Sequence, residues 1–205
     1  KNKFFHLAIG NFDGVHLGHQ KIIKDLVNDS FKQKKSAAIL SFEPHPRQFF
    51  SRDLDRYQII GKEKKQQILK NLGIEDLFFL QFNESIANLS PSDFLKKIIV
   101  DKLQINKLVV GYDFHFGKNR EGDVNMLKDY ATIHGFALDI IDPIKDKSKN
   151  ELFSSSSIRE AIKKGLIEKA NSMLGRLWTM EGEVIHGDKR AREMNFPTAN
   201  LLPHN

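Results

Sequence analysis

Leu7-Ala8-Ile9-Gly10-Asn11-Phe12-Asp13-Gly14-Val15-His16-Leu17-Gly18-His19 is the stretch that decides how this chain is read. The apolar run ending at Ile9 has the composition of a buried strand, and Gly10 and Gly14 bound a turn. From about Val15 the pattern becomes helical. A strand that turns sharply into a helix presents the helix's unpaired N–H groups and positive dipole end beyond the strand, which suits an anion. His16 and His19 are three residues apart and are expected to share a face. Helical side chains lean toward the N-terminus, which brings both imidazoles toward that anion. Gly14 is read as permitting the tight turn, and Gly18 as letting a ligand approach without meeting a Cβ.

Outward from this stretch, strands and helices alternate. Strands are expected over residues 4–9, 36–42, 76–82, 107–111 and 136–141, and helices over residues 17–28, 62–72, 91–102, 124–134 and 154–163, with a shorter helix ending near residue 174. Pro44 and Pro46 imply an irregular, stiff exit from the second strand. Gly73 reads as a helix stop and Pro91 as a first helical residue. The alternation predicts an α/β fold with a parallel sheet covered on both faces. Ligands of such sheets sit beyond the carboxyl ends of the strands. From Gly175 the pattern becomes strand-like over residues 177–186, so the domain boundary is placed near Gly175-Arg176, dividing the chain into residues 1–175 and 176–205.

The 205 residues are 40% hydrophobic, enough for one full domain and part of another, and carry a net charge of +6. The charges are interspersed, as on an ordinary solvated surface. A basic nucleic-acid-binding module would need lysines and arginines clustered with exposed aromatics, and the sequence has no such cluster. With no cysteine, disulfides and thiolate metal sites are excluded, which fits the cytoplasm. No apolar run approaches the roughly 20 residues of a membrane span. Both chain ends read as cut rather than natural. Neither the oligomeric state nor any metal ligand can be read from the sequence.

The histidine turn suits nucleotidyl transfer, in which a phosphate attacks the α-phosphorus of a nucleoside triphosphate and pyrophosphate leaves. Such a site must position reactants and stabilise charge, and need not supply a nucleophile. The run Gly10–His19 closely resembles the signature of the adenylyltransferase half of bacterial bifunctional riboflavin kinase/FAD synthetases. Three further segments resemble that family: Ser41-Phe42-Glu43-Pro44-His45-Pro46-Arg47, Val110-Gly111-Tyr112-Asp113-Phe114-His115-Phe116-Gly117, and Phe153-Ser154-Ser155-Ser156-Ser157-Ile158-Arg159. A fifth, Phe196-Pro197-Thr198-Ala199-Asn200, preceded by Gly182, Gly187 and Arg192, resembles the entry to the riboflavin kinase barrel.

The resemblance implies a Rossmann-like nucleotidyltransferase domain followed by the start of a small β-barrel. It implies the reaction FMN + ATP giving FAD and pyrophosphate with Mg²⁺, and riboflavin phosphorylation in the complete chain. His16, His19 and Arg159 are then the expected catalytic residues. Gly10, Asn11, Phe12, Asp13, Gly18, Ser155, Ser156 and Asp113 are expected to bind the nucleotide, and Pro46 and Phe116 to wall the flavin, although Phe116 also suits plain core packing. Thr198 and Asn200 match residues that hold Mg-nucleotide in the kinase module. Glycine is usual where Ala191 and Asn195 stand, and threonine where Ser156 stands. The rest of the kinase barrel is expected beyond Asn205, so riboflavin phosphorylation is not expected of these residues alone. Sister enzymes with the same histidine turn act on pantetheine phosphate, nicotinamide mononucleotide or glycerol phosphate, and lack the Pro197–Asn200 motif.

Overall fold

The computed structural model describes residues 5–51, 58–146, 151–185 and 198–203. The first strand, β1 (Phe5–Ile9), leads through a 3₁₀ turn (Asp13–Val15) into α1 (Leu17–Lys32). Then come β2 (Ser36–Glu43), α2 (Pro46–Phe50), α3 (Lys62–Asn71), β3 (Asp76–Gln81), α4 (Glu84–Ala87) and α5 (Pro91–Phe94). A π-helical stretch, Leu95–Leu103, continues α5 into β4 (Lys107–Gly111). Next are α6 (Val124–His134), β5 (Ala137–Ile141), the antiparallel pair β6 (Lys145–Asp146) and β7 (Glu151–Leu152), α7 (Ser155–Lys163) and α8 (Ile167–Leu174). A second antiparallel pair, β8 (Gly182–Ile185) and β9 (Asn200–Pro203), ends the described chain.

The five long strands form one sheet in the order β3-β2-β1-β4-β5, every pair parallel. Strand order reverses between β1 and β4, so the crevice of such sheets opens where their two carboxyl ends diverge. The alternation of side chains along a strand splits the core in two. Leu7 and Ile9 of β1 and Leu108 and Val110 of β4 pack with Leu95, Ile99 and Leu127 on one face. Ala8 and Val109 pack on the other with Ile23, Leu69, Ile158 and Leu174. The α/β architecture expected from the sequence is therefore present, with β4 and α6 at the expected bounds.

Three local expectations are corrected, and one further pair of short strands is found. The exit from β2 is not irregular: Pro46 is the first residue of α2, capped by His45, because proline's missing N–H is no loss at that position. The helix after Pro91 does not stay α-helical but becomes π-helical from Leu95. The loop after β5 contains the short β6–β7 pair. Finally, Leu177–Glu181 is not strand. Trp178 packs back on the first core, and only Gly182–Ile185 is extended. Gly187, Ala191, Arg192, Asn195, Phe196 and Pro197 lie outside the described residues.

Candidate active site

The site is built on the carboxyl ends of β1 and β2. After Ile9 the ladder extends by one bond, Gly10 N–H to the Leu40 carbonyl at 3.1 Å. The chain then passes through three residues of positive φ, Phe12 (46°), Gly14 (78°) and Val15 (39°). A β-branched residue in that region is strained. Val15 is held there with its side chain fully buried and its carbonyl accepting from the Gln20 amide at 2.9 Å.

The helix begins at Leu17, with His16 as its N-cap. His16 Nδ1 accepts from the His19 N–H at 3.3 Å, an interaction that satisfies one of the orphan donors of the first turn. The two histidines do not simply share a helical face. Their rings stack at 3.6 Å between centroids and 18° apart, and Phe12 meets His19 edge-on at 5.2 Å. An Nδ1 that accepts leaves the proton of neutral His16 on Nε2, which makes Nε2 a donor.

Burial, then the charges of Arg176 and Arg159, lowers the His16 pKa from the ordinary 6.5 to about 4. Burial and then the charge of His16 hold His19 well below its usual value. Both rings are therefore neutral donors near pH 7, which removes the repulsion a stacked pair of imidazolium ions would suffer. His45, 5% exposed, is lowered to about 3, by burial first and then by Arg159.

These histidines make the fold sensitive to acid. Between about 4 and 6.5 the unfolded chain binds a proton at residue 16 that the native chain refuses. Stability therefore rises with pH across that window, is complete above it, and is lost as pH falls toward 4. The difference between 6.5 and about 4 corresponds to a loss of about 3 kcal/mol. Urea midpoints measured from pH 7 down to pH 4 are expected to fall steeply, and His16→Gln to flatten the slope. An equal slope in that variant would contradict the assignment.

The rest of the site is tied to this turn by Asp13, which is 1% exposed. Its carboxylate accepts the Ile59 N–H (2.9 and 3.1 Å) and pairs with Arg159 Nη2 at 2.7 Å, while its carbonyl accepts from Ser155 Oγ at 2.9 Å. Ser154 caps α7 by accepting the Ser157 N–H, and Ser156 is exposed on the first turn. The serine–arginine helix is thus brought to the histidine turn, as the sequence suggested. However, Ser155 and Arg159 are engaged with Asp13, and Asp13 is an internal fastener rather than an open wall.

Other residues fall differently. A Cβ on Gly18 would lie 3.1 Å from the His16 ring and from Phe153 Cβ. The absent Cβ lets those side chains pack close to the helix start. Gly10 admits the Phe12 ring at 3.2 Å from such a Cβ. Phe116 is 6% exposed, stacked on Phe114 and tilted against Phe94, and it packs in the second core cluster. Asp113 is exposed just past β4, and Pro46 is half-buried at the start of α2. Thr198 and Asn200 are exposed, with Asn200 paired to Ile185 in the separate β8–β9 ribbon.

Three side-chain atoms at this edge, Asn11 Oδ1, His19 Nδ1 and Glu43 Oε2, are buried with no hydrogen-bond partner among the described residues. Such atoms call for a ligand, an ion or ordered water. The sequence reading also missed Lys65, 1% exposed, whose pKa is lowered by burial and raised in part by Asp13 and Glu43. A signal was present: Lys65 stands where apolar periodicity on α3 (Ile68, Leu69, Leu72) calls for a hydrophobe. Phe49, Phe50 and Phe82, in mutual edge-to-face contact with Phe50 70% exposed, were likewise not singled out.

An all-parallel 3-2-1-4-5 sheet with neutral imidazoles at a helix start beside its switch point defines an α/β domain that handles phosphates. Comparison with known proteins narrows that class. The FAD synthetase family model matches residues 1–157 and the riboflavin kinase model residues 174–205, and the chain belongs to the FAD synthetase family. Curated relatives named bifunctional riboflavin kinase/FMN adenylyltransferase include those of Bacillus subtilis (38% identical, 95% of this chain, 61% of the relative) and Buchnera aphidicola from Acyrthosiphon pisum (36%, 96% and 62%). The chain thus spans about 62% of the length of such relatives. A solved structure described as a macrolide-efflux protein from Streptococcus pneumoniae shares the fold (TM-score 0.79, 27% identity, 99% of this chain and 66% of that one). Among the described residues no helix is long and apolar enough to cross a membrane.

Proposed function

We propose that this chain transfers the adenylyl group of ATP to FMN, forming FAD and pyrophosphate. A phosphate oxygen of FMN attacks the α-phosphorus, the bond from that phosphorus to the bridging oxygen of the β-phosphate breaks, and pyrophosphate carries the electron pair away. The observation that carries the reading is the stacked, neutral His16–His19 pair at the start of α1, in a chain of this family.

In this reading His16 Nε2 and His19 donate to the oxygens on which charge develops, a role that preorganised donors fill without reorganising. Lys65 adds a buried cation close enough to depress His19. Gly10, Asn11, Phe12 and Gly18 shape the nucleotide pocket. Ser155, Ser156 and Arg159 receive the triphosphate once Arg159 gives up part of its pairing with Asp13. Pro46 and the exposed Phe50 supply an apolar wall for the planar flavin. Mg²⁺ would accompany ATP, held by phosphate oxygens and one or two carboxylates, and Asp113 is the exposed carboxylate assigned to it or to a ribose hydroxyl.

We place the domain boundary at residues 175–176 and the protein in the cytoplasm, with small nucleotides and flavins as its partners. In a chain with a complete kinase module, Thr198 and Asn200 would hold Mg-nucleotide for riboflavin phosphorylation. The test is pyrophosphate release with ATP or CTP against a panel of FMN, pantetheine phosphate, nicotinamide mononucleotide and glycerol phosphate. Release with ATP that requires FMN and matches FAD formed is expected. A preference for any other acceptor would overturn the assignment.

A further inference from the structure

The segment leading out of the first core is bound to the back of the histidine turn. Arg176 directs its guanidinium at three carbonyls: Nη2 donates to Gly14 at 2.5 Å, and Nη1 to Val15 at 3.2 Å and Leu174 at 3.3 Å. Two residues on, the Trp178 indole N–H donates to the Ile59 carbonyl at 2.9 Å, and its backbone N–H to Asn171 Oδ1 at 2.6 Å. Ile59 is the residue whose own N–H fixes the Asp13 carboxylate, and its side chain lies where a Cβ on Gly14 would meet it at 3.0 Å. Arg176 therefore grips the turn through its carbonyls, and Trp178 reaches it through Ile59 and Asp13.

The turn needs such support. Phe12, Gly14 and Val15 all have positive φ, and such backbone persists only where its surroundings over-determine it. The planar guanidinium presents donors in a fixed fork that meets two successive carbonyls, which a single ammonium does not reproduce. Arg176 is also the second largest influence on the His16 ring, after burial. Yet Arg176 and Trp178 stand outside residues 1–157, in the segment matched as riboflavin kinase.

We propose that Arg176 and Trp178 are positioning residues of the histidine site, supplied by the segment that leads into the second module, so that the site is complete only with residues from both matched segments. The inference rests on the transferase reading of the site, and its test separates the two.

Arg176→Met in the whole chain is read in two ways. Hydrogen–deuterium exchange of peptides covering residues 12–20 reports the turn without reference to activity, and is expected to rise about 10-fold there and not across β4 and β5. Initial rates with FMN and ATP are expected to show kcat lowered by about 10-fold or more with KM for ATP nearly unchanged, since what is lost is alignment. Arg176→Lys should fall between Arg176→Met and wild type. Trp178→Phe, which keeps an aromatic ring and loses the indole donor, should show the same pattern more weakly and stands in if Arg176→Met fails to fold. Unaltered exchange over residues 12–20 in folded variants would overturn the proposal, as would a rise in KM with kcat intact. If wild-type protein forms no FAD, the transferase reading fails, while the exchange measurement still decides the role of Arg176.

Discussion

Replacing His19 by alanine is expected to lower the rate of FAD formation by about 10²-fold or more, the loss usual for a deleted transition-state donor. The ring lies on the first turn of α1, stacked under His16 and edge-on to Phe12. Its Nδ1 is buried without a partner among the described residues, and burial keeps the ring neutral. A group so placed stabilises little by its own bonds and is poised to bond something that arrives. The circular dichroism spectrum should be retained, and the deficit should lie in kcat. Turnover within about threefold of wild type would remove His19 from the chemistry.

Asp13→Ala is the second large effect, and it falls on the fold. The carboxylate is 1% exposed, and truncation removes its ion pair with the Arg159 guanidinium, itself 19% exposed, and its hydrogen bond from the Ile59 N–H. Breaking a buried pair by removing one partner costs about 3–5 kcal/mol. A urea titration should show that loss. Asp13→Asn, which keeps an acceptor for Ile59, should lose less. The alanine variant should also lose FAD formation, since α7 is latched to the turn through this residue. A midpoint close to wild type would mean that Arg159 finds another partner and that Asp13 does not organise the site.

Much of this architecture was legible along the chain. β4 and α6 follow from an apolar, β-branched run and from an Asp123 cap with a closing Gly135, and each is set by neighbours in sequence. The α2 helix was missed because two prolines spaced by one residue read as a break, and only the backbone shows that the second opens a helix. The π-helical stretch after Phe94 leaves no mark in composition. Phe116 shows the limit for side chains. The motif allowed a flavin wall or core packing, and only its tertiary contacts with Phe94 and Phe114 show the ring among core residues.

The sequence by itself determined the family, the parallel α/β class, and the histidine and serine–arginine segments that meet at the turn, because strand and helix periods and short motifs are local properties. Tertiary structure decided how those residues stand to one another. His16 became a cap rather than a helical neighbour of His19, since the positive φ of Val15 keeps the chain out of helical geometry until Leu17. Asp13 became a fastener because Ile59, Ser155 and Arg159, all distant in sequence, converge on it. Lys65 and Arg176 entered the site for the same reason: a buried cation acquires its role from the carboxylates, carbonyls and rings that folding brings around it, and no spacing along the chain encodes that meeting.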